Sequence, residues 1–255
     1  MKRYAAFVSI LLIPGLISLG WAEPKDVPDR ERADGLLREA IVKANSGQPV
    51  EAVTLFNQSL KIRPRNAAAY YNRGKLLLKE GRADLALRDL NKALKLDPDL
   101  LGAYVARGSA HQLNGDHAKA VKDFSQALKL DPKNVRALFH RAALYFDAAR
   151  PEAALKDLTR LLKIRPGNTK ALGNRASLLR QLGRYDEATR DLIAILALEP
   201  NNVMAMKHLA FIYSKRGKSG KAVRWYQTAL KLEQDQSARK RLKEEIRHLM
   251  ESRVQ

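Results

Sequence analysis

Five prolines lie exactly one period of 34 residues apart in this chain, at Pro64, Pro98, Pro132, Pro166 and Pro200. Counting back from each proline divides the chain into six blocks, 33–66, 67–100, 101–134, 135–168, 169–202 and 203–236. A fixed period of this length is typical of repeat proteins, in which each short unit buries its apolar face against its neighbours. We therefore expect a stack of similar units rather than one globular core.

The same residue types recur at fixed positions of the six blocks. Position 20 is Ala and position 28 is Leu in every block, position 24 is large and apolar, and position 8 is Gly or Ala. Positions 20, 24 and 28 lie on one face of a helix, and small residues at positions 8 and 20 let two antiparallel helices approach closely. Glycine at position 15 of five blocks ends the first helix, and the proline ends the second. Each block is therefore expected to form a helix-turn-helix unit.

This pattern resembles the tetratricopeptide repeat family over residues 33 to about 236. The resemblance implies an all-α, right-handed superhelical solenoid of helix-turn-helix repeats, whose concave groove binds a peptide or a protein. Two departures are local: Ala149 replaces the turn glycine of the fourth block, and Gln234 replaces the last proline.

The first 22 residues have the pattern of a secretory signal peptide. Two basic residues precede an uncharged apolar stretch (4–19), and the small residues Gly20 and Ala22 fit cleavage after Ala22. An uncleaved membrane anchor is the alternative, although residues 4–22 fall just short of the roughly 20 apolar residues that a spanning helix needs. We therefore expect an exported protein, periplasmic or secreted.

Two further segments flank the repeats. Residues 23–32 are expected to be a flexible lead-in. Residues 237–255 are expected to form a capping helix, because Ala238, Leu242, Ile246 and Leu249 recur on one helical face and a solenoid needs a cap over its last apolar surface.

Arginine at position 7 and aspartate at position 23 occur together in blocks two to five and are both missing from the first and sixth blocks. The two positions are equidistant from the turn at position 15, so an antiparallel hairpin brings them side by side. Pairing within a block leaves no charge without a partner, whereas pairing with the next block leaves Arg73 and Asp191 facing apolar residues. We therefore predict four ion pairs within repeats, with an architectural role.

First-helix positions 2, 5, 6, 9, 12 and 13 line the ligand groove in the family that the chain resembles. In blocks two to six these positions hold many basic, aromatic and amide side chains and a single acid, Asp147. Cations bind carboxylates through charge-assisted hydrogen bonds, and aromatic rings anchor apolar side chains. The expected partner is an acidic peptide or protein. The expected peptide-binding residues are Tyr71, Asn72, Lys75, Lys79, Arg136, Phe139, His140, Lys170, Asn174, Arg180, Lys207, His208, Phe211 and Lys215.

The net charge of +20 supports a second interpretation. Positions 22 and 29 of the second helices are basic in ten of twelve cases. One interpretation is a solvated face with local ion pairs, in which Asp84, Glu152 and Asp186 each pair with the cation four residues later. The other is that these cations attract an anionic surface. The alternative function is therefore a structural cell-envelope protein that adheres to an anionic polymer or membrane. Export argues against nucleic acid as the partner.

No enzymatic pattern is present in the sequence. Cysteine is absent, the five histidines are scattered, and no glycine-rich phosphate loop or nucleophile elbow occurs. We therefore expect a binding scaffold that is not an enzyme and uses no metal or cofactor.

Overall fold

The computed structural model describes residues 26–251, so the predicted signal segment lies outside the described residues. Within that range the chain forms thirteen α-helices and no strand. Their bounds are α1 Asp26–Asn45, α2 Pro49–Ile62, α3 Ala67–Lys79, α4 Ala83–Leu96, α5 Leu101–Leu113, α6 His117–Leu130, α7 Val135–Asp147, α8 Pro151–Ile164, α9 Thr169–Gln181, α10 Tyr185–Leu198, α11 Val203–Lys215, α12 Ser219–Leu232 and α13 Gln236–Glu251. None of the helices in the described range is long and apolar enough to cross a membrane.

The first compact unit ends at Arg65 and contains α1 and α2. The two helices pack through the small and aromatic positions expected, with Ala40 and Phe56 fully buried. The flexible lead-in was expected over residues 23–32, of which 23–25 lie outside the described residues; residues 26–32 instead form the first two turns of α1. Proline is tolerated in the first turn of a helix, so Pro28 does not prevent this extension, and Arg30 lies within 4.0 Å of Asp34 one turn later.

The second unit begins at Asn66 and contains α3–α13. Its first helices begin at residues 67, 101, 135, 169 and 203, which are the starts of the sequence blocks. Asparagine at the last position of a block caps four of these helices, because its side-chain oxygen accepts the backbone N–H of the third helical residue. The four caps are Asn66, Asn134, Asn168 and Asn202.

The turns between paired helices require a left-handed backbone. Gly81, Gly115, Gly183 and Gly217 have φ values of 68–79° in the second unit. Ala149 occupies the equivalent position with a φ of 54°, where its Cβ is sterically unfavourable. The fourth repeat therefore keeps the turn of its neighbours in spite of the substitution.

Packing in the second unit brings its first helices together. Each helix packs on the next in the chain, and α3 also contacts α5, α5 contacts α7, and α9 contacts α11. The second helices make no comparable contact with one another in the described residues. The repeats of this unit therefore converge on the side of the first helices, which makes that side concave.

A buried ion pair joins the two helices in each of repeats two to five. In the second repeat, Arg73 donates from Nε and Nη2 to the two carboxylate oxygens of Asp89, both at 2.7 Å. The same two bonds, at 2.7–2.8 Å, join Arg107 to Asp123, Arg141 to Asp157 and Arg175 to Asp191. The predicted pairing within repeats is confirmed.

The remaining guanidinium nitrogen, Nη1, links three of these arginines to the preceding repeat. The bonds run from Arg107 to Asn91 at 2.8 Å, from Arg141 to Ser125 at 3.0 Å and from Arg175 to Thr159 at 3.3 Å. All three acceptors occupy position 25. The fifth repeat has Ile193 there, and the sixth repeat that follows it has Leu209 in place of arginine. Sequence reasoning missed this link between repeats.

The last helix covers the end of the second unit, as predicted. Leu242 and Ala238 of α13 are buried, and Ile246 and Leu249 pack beside them against α11 and α12. Arg239 donates from Nη1 to the carbonyl oxygens of Leu230 and Glu233 at the C-terminal end of α12. The capping helix is therefore held by apolar packing and by hydrogen bonds to its neighbour.

Candidate functional site

An open pocket on the concave side of the second unit lies across α3, α5 and α7 and has a volume of about 300 Å³. Its wall includes Tyr71, Lys75, Arg136 and His140, four of the expected peptide-binding residues. Gly102 makes room for the ring of Tyr71 in this wall, because a Cβ there would lie 2.7 Å from the hydroxyl oxygen of Tyr71 and would displace the ring. The pocket therefore combines two cations, Lys75 and Arg136, with the rings of Tyr71 and His140.

The second pocket lies across α7, α9 and α11 and has a volume of about 430 Å³. It brings together Phe139, Lys170, Asn174 and His208, again four of the expected residues. Met204, which is 57% exposed, also lines it and was not among the expected site residues. Met204 occupies a groove position, so its position in the repeat would have identified it.

A smaller pocket of about 140 Å³ adjoins the second one. Asn174 and Ser177 line both, so the two are separated by a shared wall. Phe146 and Leu158 supply apolar surface, and Asp147, the one acid predicted in the groove, lies at its edge. An extended chain crossing this wall would place an apolar side chain in the small pocket and a polar group near Lys170.

Family models provide an independent assignment of the chain. Models described as tetratricopeptide repeat match residues 67–100, 105–169 and 179–246, and one described as TPR repeat matches residues 45–81. The chain belongs to the tetratricopeptide repeat family. No match was found among curated proteins.

Solved structures of tetratricopeptide repeat proteins have the same fold. YrrB, described as a TPR protein with an unusual peptide-binding site, matches with a TM-score of 0.67 and 22% identity over 74% of this chain and 97% of its own. The MamA protein matches with a TM-score of 0.62 and 20% identity over 65% of this chain and 91% of its own. PilF of Pseudomonas aeruginosa matches with a TM-score of 0.72 and 15% identity over 86% of this chain and 99% of its own. These likenesses confirm an all-α tetratricopeptide solenoid.

Two histidines of this tetratricopeptide groove are held towards their neutral form. Burial, and then the charge of Arg136, lower the pKa of His140. Burial, then Arg180 and then Lys207 lower the pKa of His208. His140 stacks on Phe124 with ring centroids 5.4 Å apart, and its Nδ1 lies 3.2 Å from Oε1 of Gln112. Burial is the larger cause of both pKa shifts, and the neighbouring cations add to it.

Three further expected residues lie together at the C-terminal end of the groove. The ring of Phe211 lies between two cations, with the guanidinium carbon of Arg180 4.7 Å and Nζ of Lys215 5.6 Å from its centroid. The Nε atom of Arg180 is buried with no hydrogen-bond partner in the described residues. This cluster therefore combines an apolar ring with two cations.

Three expected site residues are less available than the repeat pattern suggests. Nζ of Lys207 lies 3.6 Å from a carboxylate oxygen of Glu233, so its charge is partly neutralised by the chain itself. The side-chain amide of Asn72 donates to the carbonyl oxygen of Ala68 in its own helix. Lys79 is exposed but lines neither of the two pockets.

Metal ligands do not cluster in the part of the chain that the structure describes. No group of three or more His, Asp or Glu side chains there is arranged to hold a metal ion. The site offers charge-assisted hydrogen-bond donors and apolar surface along a concave wall.

Proposed function

We propose that this protein is an exported adaptor that binds an acidic peptide, or an acidic segment of a protein partner, along the concave side of its second unit. Tetratricopeptide repeat proteins bind proteins or peptides, and YrrB is described as having a peptide-binding site. The acidic character of the ligand and the use of this groove rest on the charges of the two pockets. Export rests on the sequence of residues 1–22.

The observation that carries the proposal is the charge of the pocket walls. The first and second pockets contain Lys75, Arg136 and Lys170, and neither wall includes an acid, whereas the small adjoining pocket is lined by Asp147. A carboxylate bound there would receive charge-assisted hydrogen bonds, each of which contributes about 1.5–3 kcal/mol. Two such bonds therefore correspond to a factor of at least roughly 100 in affinity.

The test compares two triple variants that have the same net charge. The groove variant is Lys75→Glu, Arg136→Glu and Lys170→Glu. The control variant is Lys95→Glu, Lys129→Glu and Lys163→Glu, which changes exposed lysines of the second helices. Fluorescence anisotropy would measure binding of a labelled glutamate-rich peptide with a free carboxylate end, beside a lysine-rich peptide of the same length.

We expect the groove variant to lose at least roughly 100-fold in affinity for the acidic peptide, and the control to stay within a few-fold of the native protein. Equal losses in the two variants would show that only net charge matters and would refute groove recognition. Export is tested separately, by N-terminal sequencing of the mature protein, for which we expect Glu23 as the first residue. A protein that retains residues 1–22 would contradict cleavage.

A further inference from the structure

A row of cations lies on the outer side of the second unit, one on each second helix. Arg88, Lys122, Lys156, Arg190 and Arg224 occupy position 22 of successive repeats, and all five are exposed. Position 22 lies about 120–160° around the helix from the buried positions 20, 24 and 28, because each residue turns the helix by roughly 100°. The row therefore points away from the groove.

A second row runs parallel to the first. Lys95, Lys129, Lys163 and Lys231 occupy position 29, which is seven residues or almost two helical turns further, and are exposed as well. The two rows lie about 10 Å apart along each helix, since seven residues rise about 1.5 Å each. We call these two rows together the outer cationic face.

The carboxylates nearby do not neutralise the outer cationic face. The local pairs expected between Asp84 and Arg88, and from Glu152 and Asp186 to the cations four residues on, do not form in the described residues. Asp84 instead accepts a hydrogen bond of 2.8 Å from Asn114, and Asp186 pairs with Arg216. Both partners belong to the next repeat. Asp84 and Asp186 therefore join repeats instead of pairing with the cations of position 22.

The outer cationic face has no internal partner. Across residues 26–251, none of its cations forms a salt bridge to a carboxylate of the chain. Positions 22, 25, 26 and 29 of α4, α6, α8, α10 and α12 contain no acid at all. Nine like charges without partners repel one another and favour an external anion.

We infer that the outer cationic face docks this protein on an anionic lipid bilayer. The cations are spread over a broad surface in two dimensions, and lipid head groups diffuse to match such a distribution, so no fixed ligand geometry is required. Most of the nine are lysines, whose flexible stems adapt to a soft surface. The same positions contain no aromatic residue on which a nucleic-acid base would stack.

Docking through the outer face leaves the groove open on the opposite side. Bilayer docking therefore does not depend on the proposed peptide binding, and an experiment that refutes one of them leaves the other standing. A bilayer-bound molecule would present its concave side to partners in solution.

The experiment measures sedimentation of the full-length chain with lipid vesicles. Phosphatidylcholine vesicles report any contribution of the apolar segment at residues 4–19, and mixed phosphatidylcholine–phosphatidylglycerol vesicles add the anionic charge. The outer variant changes the five cations of position 22 to glutamine. The matched groove variant changes Lys75, Lys79, Arg136, Lys170 and Lys215 to glutamine, which removes the same net charge. Circular dichroism confirms that both variants remain helical.

We expect the native chain and the groove variant to bind anionic vesicles more tightly than neutral ones, and this difference to vanish at about 1 M salt, where the Debye length is about 3 Å. If three of the five removed cations contact the vesicle surface at once, at about 1 kcal/mol each, the outer variant binds anionic vesicles roughly 100-fold more weakly. Undiminished binding by the outer variant, an equal loss in the groove variant, or binding that persists at high salt would each overturn the inference. Binding to duplex DNA that depends on the outer cations, without binding to anionic vesicles, would overturn it in favour of nucleic acid.

Discussion

Replacing Asp157 by leucine is the sharpest test of the ion pairs that brace the repeats. Asp157 is 2% exposed and accepts two hydrogen bonds of 2.8 Å from Arg141. The substitution leaves a half-buried guanidinium without its carboxylate. Removing one partner of a buried pair typically costs about 3–5 kcal/mol. We expect about 3 kcal/mol, the lower end, because Arg141 keeps its 3.0 Å bond to Ser125.

The sixth repeat shows what happens when both partners are apolar. Leu209 and Trp225 occupy the positions of the arginine and the aspartate there, and Leu209 is fully buried. We therefore expect the double variant Arg141→Leu, Asp157→Leu to be within about 1.5 kcal/mol of the native protein, since apolar replacement of a buried pair is often neutral or stabilising. The coupling energy between the two substitutions should then exceed about 1.5 kcal/mol in favour of the double variant.

Urea unfolding followed by circular dichroism measures these differences. Hydrogen exchange at α7 and α8 accompanies it, because a solenoid can lose one repeat without unfolding as a whole. The reasoning is refuted if Asp157→Leu alone is as stable as the native protein. It is also refuted if the double variant is less stable than that single variant.

Two other predictions concern the turn and the groove. Ala149→Gly should stabilise the protein by about 0.5–1 kcal/mol, since glycine removes the Cβ penalty at a φ of 54°; a lower melting temperature in differential scanning calorimetry would contradict this. The pKa of His140 and that of His208 are lowered in the folded state, so the unfolded chain takes up protons first as the pH falls. Stability should therefore be complete above about pH 6.5 and decrease as the pH falls below it. The double variant His140→Gln, His208→Gln should reduce this slope in urea titrations between about pH 7 and pH 5, and an unchanged slope would show that other groups are responsible.

The fold was largely predictable because the same residues pack at the same positions in each repeat. Small residues at position 8, alanine at position 20 and leucine at position 28 recur wherever two helices meet, so a weak pattern becomes a strong one by repetition. The ion pairs were predictable for the same reason. The start of α1 was not, because residues 26–32 precede the first block and no repeated position describes them.

Contacts between repeats were harder to predict than contacts within them. The bond from Arg107 to Asn91 joins two blocks, and its sequence signal is a polar residue at position 25 before each arginine. The same difficulty explains why the prediction of a local ion pair between Asp84 and Arg88 was wrong. A spacing of four residues on a helix does not reveal that Asn114 of the next repeat reaches the same carboxylate.

The sequence predicted which positions line the candidate site. It predicted less well which of the side chains at those positions are free to bind a ligand. The repeat pattern places Lys75 and Arg136 in one pocket and Lys170 in the other. It could not show that Lys207 pairs with Glu233, because position 5 is basic only in the sixth block and no earlier repeat reveals such a contact.

The most direct test of the central claim is photocrosslinking from the wall shared by the two adjoining pockets. A photoreactive residue at Ser177, installed in the native cell and compared with one at Lys129 on the outer face, would show which side holds the partner. We predict that Ser177 crosslinks to a segment rich in aspartate and glutamate, and that the Lys75→Glu, Arg136→Glu, Lys170→Glu variant abolishes this product. Crosslinks to the partner from Lys129 alone, or to a segment without acidic residues, would contradict the proposed function.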